Sequence, residues 1–76
     1  MSKNQVIKFA VVGAGHIGKR HSEMILRNDE SELIAMCDVL SKSELGLERY
    51  DVPLYNTISE MLLNHPEIDV VNICTP

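Results

Sequence analysis

The sequence predicts an α/β domain in which helices cover both faces of a parallel sheet. Residues 6–12 are nearly all apolar, as expected for a parallel strand that is buried from both sides. A glycine-rich segment at 13–18 joins this run to residues 16–28, where apolar side chains recur at helical spacing. Further along the chain, strand-like runs and helix signals keep alternating, which gives the element order βαβαβαβ.

The segment 16–28 is predicted to form an amphipathic helix. One set of its residues recurs at helical spacing and defines the face expected to contact the sheet: Ile17, His21, Met24 and Ile25. Because His21 falls on this apolar face, we interpret it as a packed histidine bonded to a neighbouring backbone group, and not as a catalytic residue.

The remaining elements follow from capping signals and short apolar runs. Ser41-x-x-Glu44 and Thr57-x-x-Glu60 are capping boxes, and each is expected to start a helix. Gly46 weakens the first of these helices, and the stretch 50–53 ends it. His65-Pro66 stops the second, with His65 facing solvent. The later strands are predicted at 33–37, 54–55 and 68–74. Right-handed crossovers then favour a partial doubly wound Rossmann sheet with strand order 3-2-1-4.

The segment 13–18 is the strongest functional signal in the chain. A strand, a glycine-rich turn and a helix together form a seat for the pyrophosphate of a dinucleotide. The first glycine is expected to allow the tight turn, the second the approach of a phosphate, and the third the close packing of helix on strand. The predicted phosphate-binding residues are Gly13, Ala14, Gly15, His16, Ile17 and Gly18. At His16 the expected contact is the backbone N–H, and not the imidazole.

Asp38 is the second predicted contact of a dinucleotide. It ends the second strand, 20 residues after Gly18, where a carboxylate can accept hydrogen bonds from the adenosine ribose hydroxyls. A 2′-phosphate would meet a like charge there, which favours NAD over NADP, although Lys42 or Arg20 could reach across and help to neutralise it. The alternative is that Asp38 only caps a turn. Asp69, by contrast, starts a strand at the opposite edge of the sheet and is predicted to be structural.

Composition argues against several classes of partner and site. The net charge is −4 with no run of Lys or Arg, which argues against a nucleic-acid groove or an anionic membrane surface. No stretch approaches the roughly 20 apolar residues of a membrane span. The polar residues 1–5 argue against a signal peptide and favour the cytoplasm. Cys37 and Cys74 end strands that flank a common neighbour, too far apart for a disulfide, so we expect reduced core thiols and no metal site.

Three segments together resemble the glucose–fructose oxidoreductase/inositol dehydrogenase (Gfo/Idh/MocA) family. They are Gly13-x-Gly15-x-x-Gly18-x-x-His21, then Cys37-Asp38, then the sequence Asp-Val-Val-x-Ile-x-Thr-Pro at 69–76, so that the resemblance runs from residue 6 to residue 76. It implies an NAD(P)-dependent oxidoreductase of sugars or nucleotide-sugars, such as the UDP-N-acetylglucosaminuronate 3-dehydrogenases. It also implies that Thr75 and Pro76 border the nicotinamide ribose.

The same resemblance implies functional parts that these 76 residues do not contain. Family members continue into a Glu-Lys-Pro motif, whose lysine takes part in catalysis, and into an α/β domain that binds substrate and mediates oligomerisation. Residues 1–76 are therefore expected to be the amino-terminal half of a dinucleotide-binding domain, truncated after the fourth strand and without catalytic residues. A stand-alone nucleotide-sensing module and a self-associating structural fragment are the alternatives. The exposed strand at 70–74 is expected to pair with another copy.

Overall fold

A computed structural model of the chain describes residues 6–47 and 50–74. These residues form one parallel sheet of four strands with the order β3-β2-β1-β4, which confirms the predicted topology. The strands are β1 (Ile7–Val12), β2 (Ser31–Cys37), β3 (Leu54–Tyr55) and β4 (Val70–Ile73). The helices are α1 (His16–Arg27), α2 (Lys42–Leu45) and α3 (Ile58–Asn64).

The central strand β1 explains why the first apolar run is continuous. It pairs with β2 on one side and with β4 on the other, and its residues alternate between two separate hydrophobic clusters. Val11 belongs to the cluster that also contains Ile25 of α1, whereas Ala10 belongs to the cluster beneath Met61 of α3. From Phe9 to Val12 both faces of β1 are thus packed against helices, and this part of the strand carries only apolar side chains.

The strand β2 contains an irregularity that we did not predict from the sequence. Phe9 pairs with Leu33, but the next residue, Ala10, pairs with Ala35, so that Ile34 is an extra residue opposite β1. Ile34 and Ala35 consequently lie on the α3 side, while Leu33 belongs to the cluster on the α1 side. A bulge of this kind bends the strand and increases its twist locally.

The orientation of α1 differs from the one predicted. Its buried residues are Gly18, Ser22 and Ile25, whereas Ile17 is 60% exposed and Met24 is 68% exposed. The prediction was right for Ile25 and wrong for Ile17, His21 and Met24, because the contact face is rotated by about one residue around the helix. The cause is Gly18, because a Cβ atom at this position would overlap the carbonyl oxygen of Gly13. Only glycine allows this approach, and the approach fixes which side of α1 faces the sheet.

Several element boundaries also differ from the predictions. β4 covers Val70–Ile73 rather than 68–74, and the differences at β2 and α2 have local causes. The strand β2 begins at Ser31 rather than Leu33, because Ser31 pairs with Ile7 and its hydroxyl donates to the carbonyl of Ile25 at 2.8 Å. The helix α2 ends at Gly46, which adopts a left-handed conformation with φ +70°. Gly46 therefore terminates this helix, and does not merely weaken it. The predicted capping box at Ser41 is confirmed.

Replacing Gly18 with alanine is expected to destabilise the fold, because the added methyl group meets the backbone of the Gly13 turn. We expect the free energy of unfolding to fall by about 1–3 kcal/mol, the usual effect of overpacking. Urea denaturation followed by circular dichroism measures this loss. The matched control is Gly15→Ala, since a Cβ at Gly15 meets nothing within 4 Å and φ there is −75°. Equal losses in the two variants would contradict the prediction.

Candidate functional site

The carboxyl edge of the sheet carries the predicted glycine turn. Gly13 follows β1 with φ +87°, a left-handed backbone conformation that residues other than glycine rarely adopt. Its N–H donates to the carbonyl of Cys37 at 2.8 Å, which ties the start of the turn to the end of β2. The turn is therefore a continuation of the sheet and is held by the same kind of backbone hydrogen bond.

The next residue, Ala14, ties the turn to Asp38. The N–H of Ala14 donates to Asp38 Oδ2 at 2.8 Å, across 24 residues of sequence. The Ala14 side chain is fully buried in the cluster on the α1 side. Ala14 thus holds the loop in place, and its amide already has an acceptor. The donors left for an anion are the backbone N–H groups that begin α1.

Asp38 itself is fixed by further hydrogen bonds on every side. Its N–H donates to the carbonyl of Tyr55 at 2.9 Å, and its own carbonyl accepts from Asn56 Nδ2 at 3.0 Å. Its Oδ1 accepts from the N–H of Leu40 at 3.0 Å, so Asp38 does cap the turn that follows β2. Because each carboxylate oxygen has two lone pairs, these contacts leave acceptor capacity for ribose hydroxyls.

The amino terminus of α1 borders the same crevice. Gly15 is the residue that precedes the helix; it is exposed, and no side chain caps the first turn. The first turn contains no acidic residue, so nothing on the helix itself neutralises its positive end. The space beside Gly15 is open, since an added Cβ would meet no atom within 4 Å. The first-turn amides and the helix dipole together favour an anion at this position.

Two neighbouring clefts extend from the glycine turn on either side of Asp38. The larger has a volume of about 480 Å³ and is mostly apolar. It is lined by Gly13, Gly15, His16, Ile17, Asp38, Val39, Leu40, Leu45 and Cys74. The smaller, of about 340 Å³, is lined by Val12, Gly13, Cys37, Asp38, Val39, Asn56 and Ile58. Gly13, Asp38 and Val39 line both clefts, so the two clefts meet at the glycine turn and the carboxylate.

Both cysteines are free thiols on either side of β1: Cys37 ends β2, and Cys74 directly follows β4. Burial raises the pKa of the Cys37 thiol, and the negative charge of the adjacent Asp38 raises it further. Burial also raises the pKa of the Cys74 thiol. Cys74 is only half-buried and lines the larger cleft, so its side chain borders the space beside the glycine turn.

Lys42 and Arg20, the two cations considered as partners of a 2′-phosphate, lie in different surroundings. The Lys42 ammonium donates to the carbonyl of Tyr50 at 2.9 Å and is thereby held at α2. Arg20 is exposed on α1. The ammonium of Lys42 would have to give up its contact with Tyr50 to reach a ligand beside Asp38.

Two histidines have surroundings that differ from the predicted ones. His21 is exposed and borders a shallow groove beside Asn72 of β4, so it is not a packed core residue. The rotation of α1 imposed by Gly18 explains this difference. His65 is half-buried, and its two ring nitrogens contact Tyr55 Oη at 2.9 Å and Glu67 Oε2 at 3.2 Å. Its predicted solvent-facing position was wrong, because the Tyr55 ring reaches it edge-on.

Other predicted residues lie away from this crevice or outside the described ranges. Asp69 Oδ2 accepts from the N–H of Lys8 at 2.9 Å near the start of β1, which supports its structural role. Thr75 and Pro76 lie outside the described residues. Within residues 6–47 and 50–74, no three His, Cys, Asp or Glu side chains are grouped so as to hold a metal ion. None of the helices in these ranges has the length and hydropathy to cross a membrane.

The chain matches the model of an oxidoreductase family with an NAD-binding Rossmann fold, over residues 7–76. It is similar to the D-galactose-1-dehydrogenase of Rhizobium etli, with a TM-score of 0.81 and 30% identity over 100% of this chain and 23% of the other. It is also similar to the WlbA dehydrogenase of Chromobacterium violaceum, solved in complex with NADH and UDP-GlcNAcA. That TM-score is 0.79, with 27% identity over 99% of this chain and 22% of the other.

A third similar structure is the apo scyllo-inositol dehydrogenase of Lactobacillus casei, with a TM-score of 0.72 and 28% identity. That match covers 99% of this chain and 23% of the other. No match was found among curated protein sequences. The chain therefore spans less than a quarter of the length of these three relatives.

The fold and the crevice define the class of this protein. A glycine turn between β1 and α1, facing an aspartate at the end of β2, is the arrangement of a dinucleotide-binding Rossmann domain. The family comparison then makes the assignment specific. The chain belongs to the Gfo/Idh/MocA family of oxidoreductases, as the sequence pattern indicated, and has the family's NAD-binding Rossmann fold over residues 7–76.

Several residues of the crevice were not predicted from the sequence. Val39 and Leu40 follow Asp38 and are 82% and 43% exposed, so they present apolar side chains at the edge of the clefts. Two consecutive apolar residues directly after the acidic residue were an available signal for this surface. The bond between Ala14 and Asp38 had no such signal, because it depends on the local path of two loops.

Alkylation of the thiols should test the geometry of the crevice. Since each thiol has a raised pKa, little thiolate forms at neutral pH, and the reaction with iodoacetamide should accelerate steadily as the pH rises above 9. Cys74 should react faster than Cys37, which is only 4% exposed. A bound dinucleotide should slow the alkylation of Cys74, because this side chain lines the larger cleft. Mass spectrometry of the modified chain measures both rates, and urea-unfolded protein, in which the rates should be equal, is the control. Faster labelling of Cys37 would contradict the geometry.

Proposed function

We propose that this chain binds NAD as the cofactor-binding part of a sugar or nucleotide-sugar oxidoreductase. The observation that carries the proposal is the glycine turn, with uncapped first-turn amides of α1 on one side and Asp38, tied to Ala14, on the other. The predicted residues at 13–18 would seat the pyrophosphate. The relative solved with NADH and UDP-GlcNAcA supports this class of cofactor and substrate.

In this proposal Asp38 receives the hydroxyls of the adenosine ribose. Its carboxylate keeps free lone pairs beside the clefts, which suits two neutral hydroxyl donors. A 2′-phosphate would bring a second negative charge to the same place, and the Lys42 ammonium is engaged by Tyr50. We therefore propose NAD, rather than NADP, as the cofactor. The exposed side chains of Val39 and Leu40 supply the apolar surface that an adenine ring needs.

We propose that catalysis requires residues other than residues 1–76. A bound nicotinamide supplies the hydride chemistry, and the protein has to position a substrate and a proton donor or acceptor beside it. We propose that residues 1–76 are the amino-terminal half of the dinucleotide-binding domain, consistent with a match that covers 23% of the galactose dehydrogenase. The substrate domain, the catalytic lysine and the bordering role of Thr75 and Pro76 belong to this proposal. The cytoplasm remains the predicted compartment.

Titration with dinucleotides tests the proposed function directly. The chain should bind NAD in a saturable manner by isothermal calorimetry, and at least roughly tenfold more tightly than NADP, because two close like charges disfavour the phosphate. Gly15→Val should remove NAD binding, since its side chain occupies the open space beside the turn.

The control for this titration is Leu63→Ala, which changes a side chain that is 83% exposed on α3, away from the turn. It should bind NAD as the wild type does. Circular dichroism should show the same helix and strand content in all three proteins. Undiminished NAD affinity in Gly15→Val would mean that the turn does not seat the phosphates.

We also propose that the isolated 76-residue chain associates with a second copy through β4. Both faces of this strand carry apolar side chains, and Ile73 is 61% exposed. Residues 70–74 contain no charged side chain that would discourage pairing at an edge. Pairing of two β4 strands would satisfy the outward-facing backbone groups and cover Val70 and Ile73 at the same time.

Sedimentation velocity over a range of concentrations tests this association. The wild-type chain should shift from monomer to dimer as the concentration rises, and Ile73→Lys should move that shift to at least about tenfold higher concentration, because a charge at an edge opposes pairing. Leu63→Lys, on exposed α3, is the matched control and should leave the shift in place. A wild-type chain that stays monomeric at all concentrations would disprove the proposal.

A further inference from the structure

We propose that Asp38 is a positioning residue for the glycine turn, so that phosphate binding and ribose binding depend on the same carboxylate. This inference rests on the proposed NAD-binding function and deepens it. Ribose recognition alone needs no contact between Asp38 and the turn. The structure nevertheless shows such a contact, between Asp38 Oδ2 and the N–H of Ala14 at 2.8 Å.

The geometry makes this contact a rigid one. Asp38 cannot swing away easily, because its N–H donates to Tyr55, its carbonyl accepts from Asn56, and its Oδ1 accepts from Leu40. At the other end, Ala14 is fully buried. The hydrogen bond thus joins a fixed acceptor to a fixed donor. It sets the path of the backbone immediately before Gly15.

The chemistry of the contact requires a carboxylate. Both oxygens of Asp38 accept from backbone N–H groups, one from Ala14 and one from Leu40. An asparagine has one acceptor oxygen, and its NH₂ group would have to face one of these two donors. A hydrogen bond to a charged acceptor is also stronger than one to a neutral acceptor. The negative charge therefore stabilises the turn before any ligand arrives.

The position of the turn decides where the anion-binding amides lie. The N–H groups of Gly13 and Ala14 are both engaged, by Cys37 and Asp38. A phosphate is left with the amides at the start of α1, which follow the Ala14 contact directly. If Ala14 lost its hydrogen bond to Asp38, the turn would have to become ordered when a phosphate binds. The free-energy cost of that ordering would weaken the affinity for the phosphate.

The test uses a ligand that cannot contact Asp38 through its ribose. The probe is 2′,3′-dideoxy-ADP, which keeps the adenine and both phosphates but lacks the hydroxyls. If Asp38 only bound ribose, Asp38→Ala would leave the affinity for this probe unchanged or raise it, because a negative charge beside the phosphates disappears. The positioning role predicts the opposite change, a loss of affinity for the probe. Asp38→Ala should weaken dideoxy-ADP roughly tenfold, about the worth of one hydrogen bond to a charged group.

Asp69→Ala is the matched control for this experiment. Asp69 Oδ2 also accepts a backbone N–H, from Lys8 at 2.9 Å, but at the opposite edge of the sheet. This variant should lose stability without losing affinity for dideoxy-ADP or NAD. Unchanged or tighter binding of dideoxy-ADP by Asp38→Ala, together with weaker binding of NAD, would overturn the positioning role and leave the proposed function intact.

A second measurement keeps the inference testable without any ligand. Hydrogen exchange followed by NMR should show a protected Ala14 amide in the wild-type chain, and exchange at least roughly tenfold faster in Asp38→Asn, which lacks one acceptor. A wild-type chain that binds neither NAD nor dideoxy-ADP would refute the proposed function, whereas a fast-exchanging wild-type Ala14 amide would refute the positioning role alone.

Discussion

The close approach of Gly18 to the carbonyl of Gly13 is the constraint on which the rest of this structure depends. It brings α1 onto β1 at a distance that no Cβ atom would permit, and it turns Ser22 and Ile25 toward the sheet. The same approach aims the uncapped start of the helix at the carboxyl edge. One missing side chain thereby determines both the packing of the core and the position of the amides that we propose bind a phosphate.

The crevice is built mainly from backbone groups that continue the sheet. Hydrogen bonds run from Gly13 to Cys37, from Asp38 to Tyr55 and from Cys74 to Val12, so the ends of all four strands are joined. A site made in this way is rigid, because its donors cannot change rotamer as side chains can. Asp38 is the one charged side chain in this set of contacts, and it joins the turn after β1 to the turn after β2.

The sequence predicted the parts of this fold that depend on local chemistry. Strand order, the cap at Ser41 and a tight turn at Gly13 follow from residue type and from the handedness of crossovers. It did not predict the rotation of α1, because Ile17 and Met24 fit the helical period with Ile25 as well as Gly18 and Ser22 do. A serine counts as polar in such a pattern, yet Ser22 is buried with its hydroxyl donating to Gly18 at 2.8 Å.

The sequence allowed us to predict the glycine turn and Asp38, but not Val39, Leu40 or the connections within the candidate site. Gly15 and Asp38 stand at spacings that a pattern can recognise, but the bond from Ala14 to Asp38 joins two loops whose paths depend on the whole sheet. That bond also explains how a negative charge can stand beside a turn that we propose binds phosphates. The carboxylate already holds two backbone donors, and the lone pairs that remain suit neutral hydroxyls better than a second phosphate. In the proposed complex, the preference for NAD thus follows from the same interaction that shapes the loop.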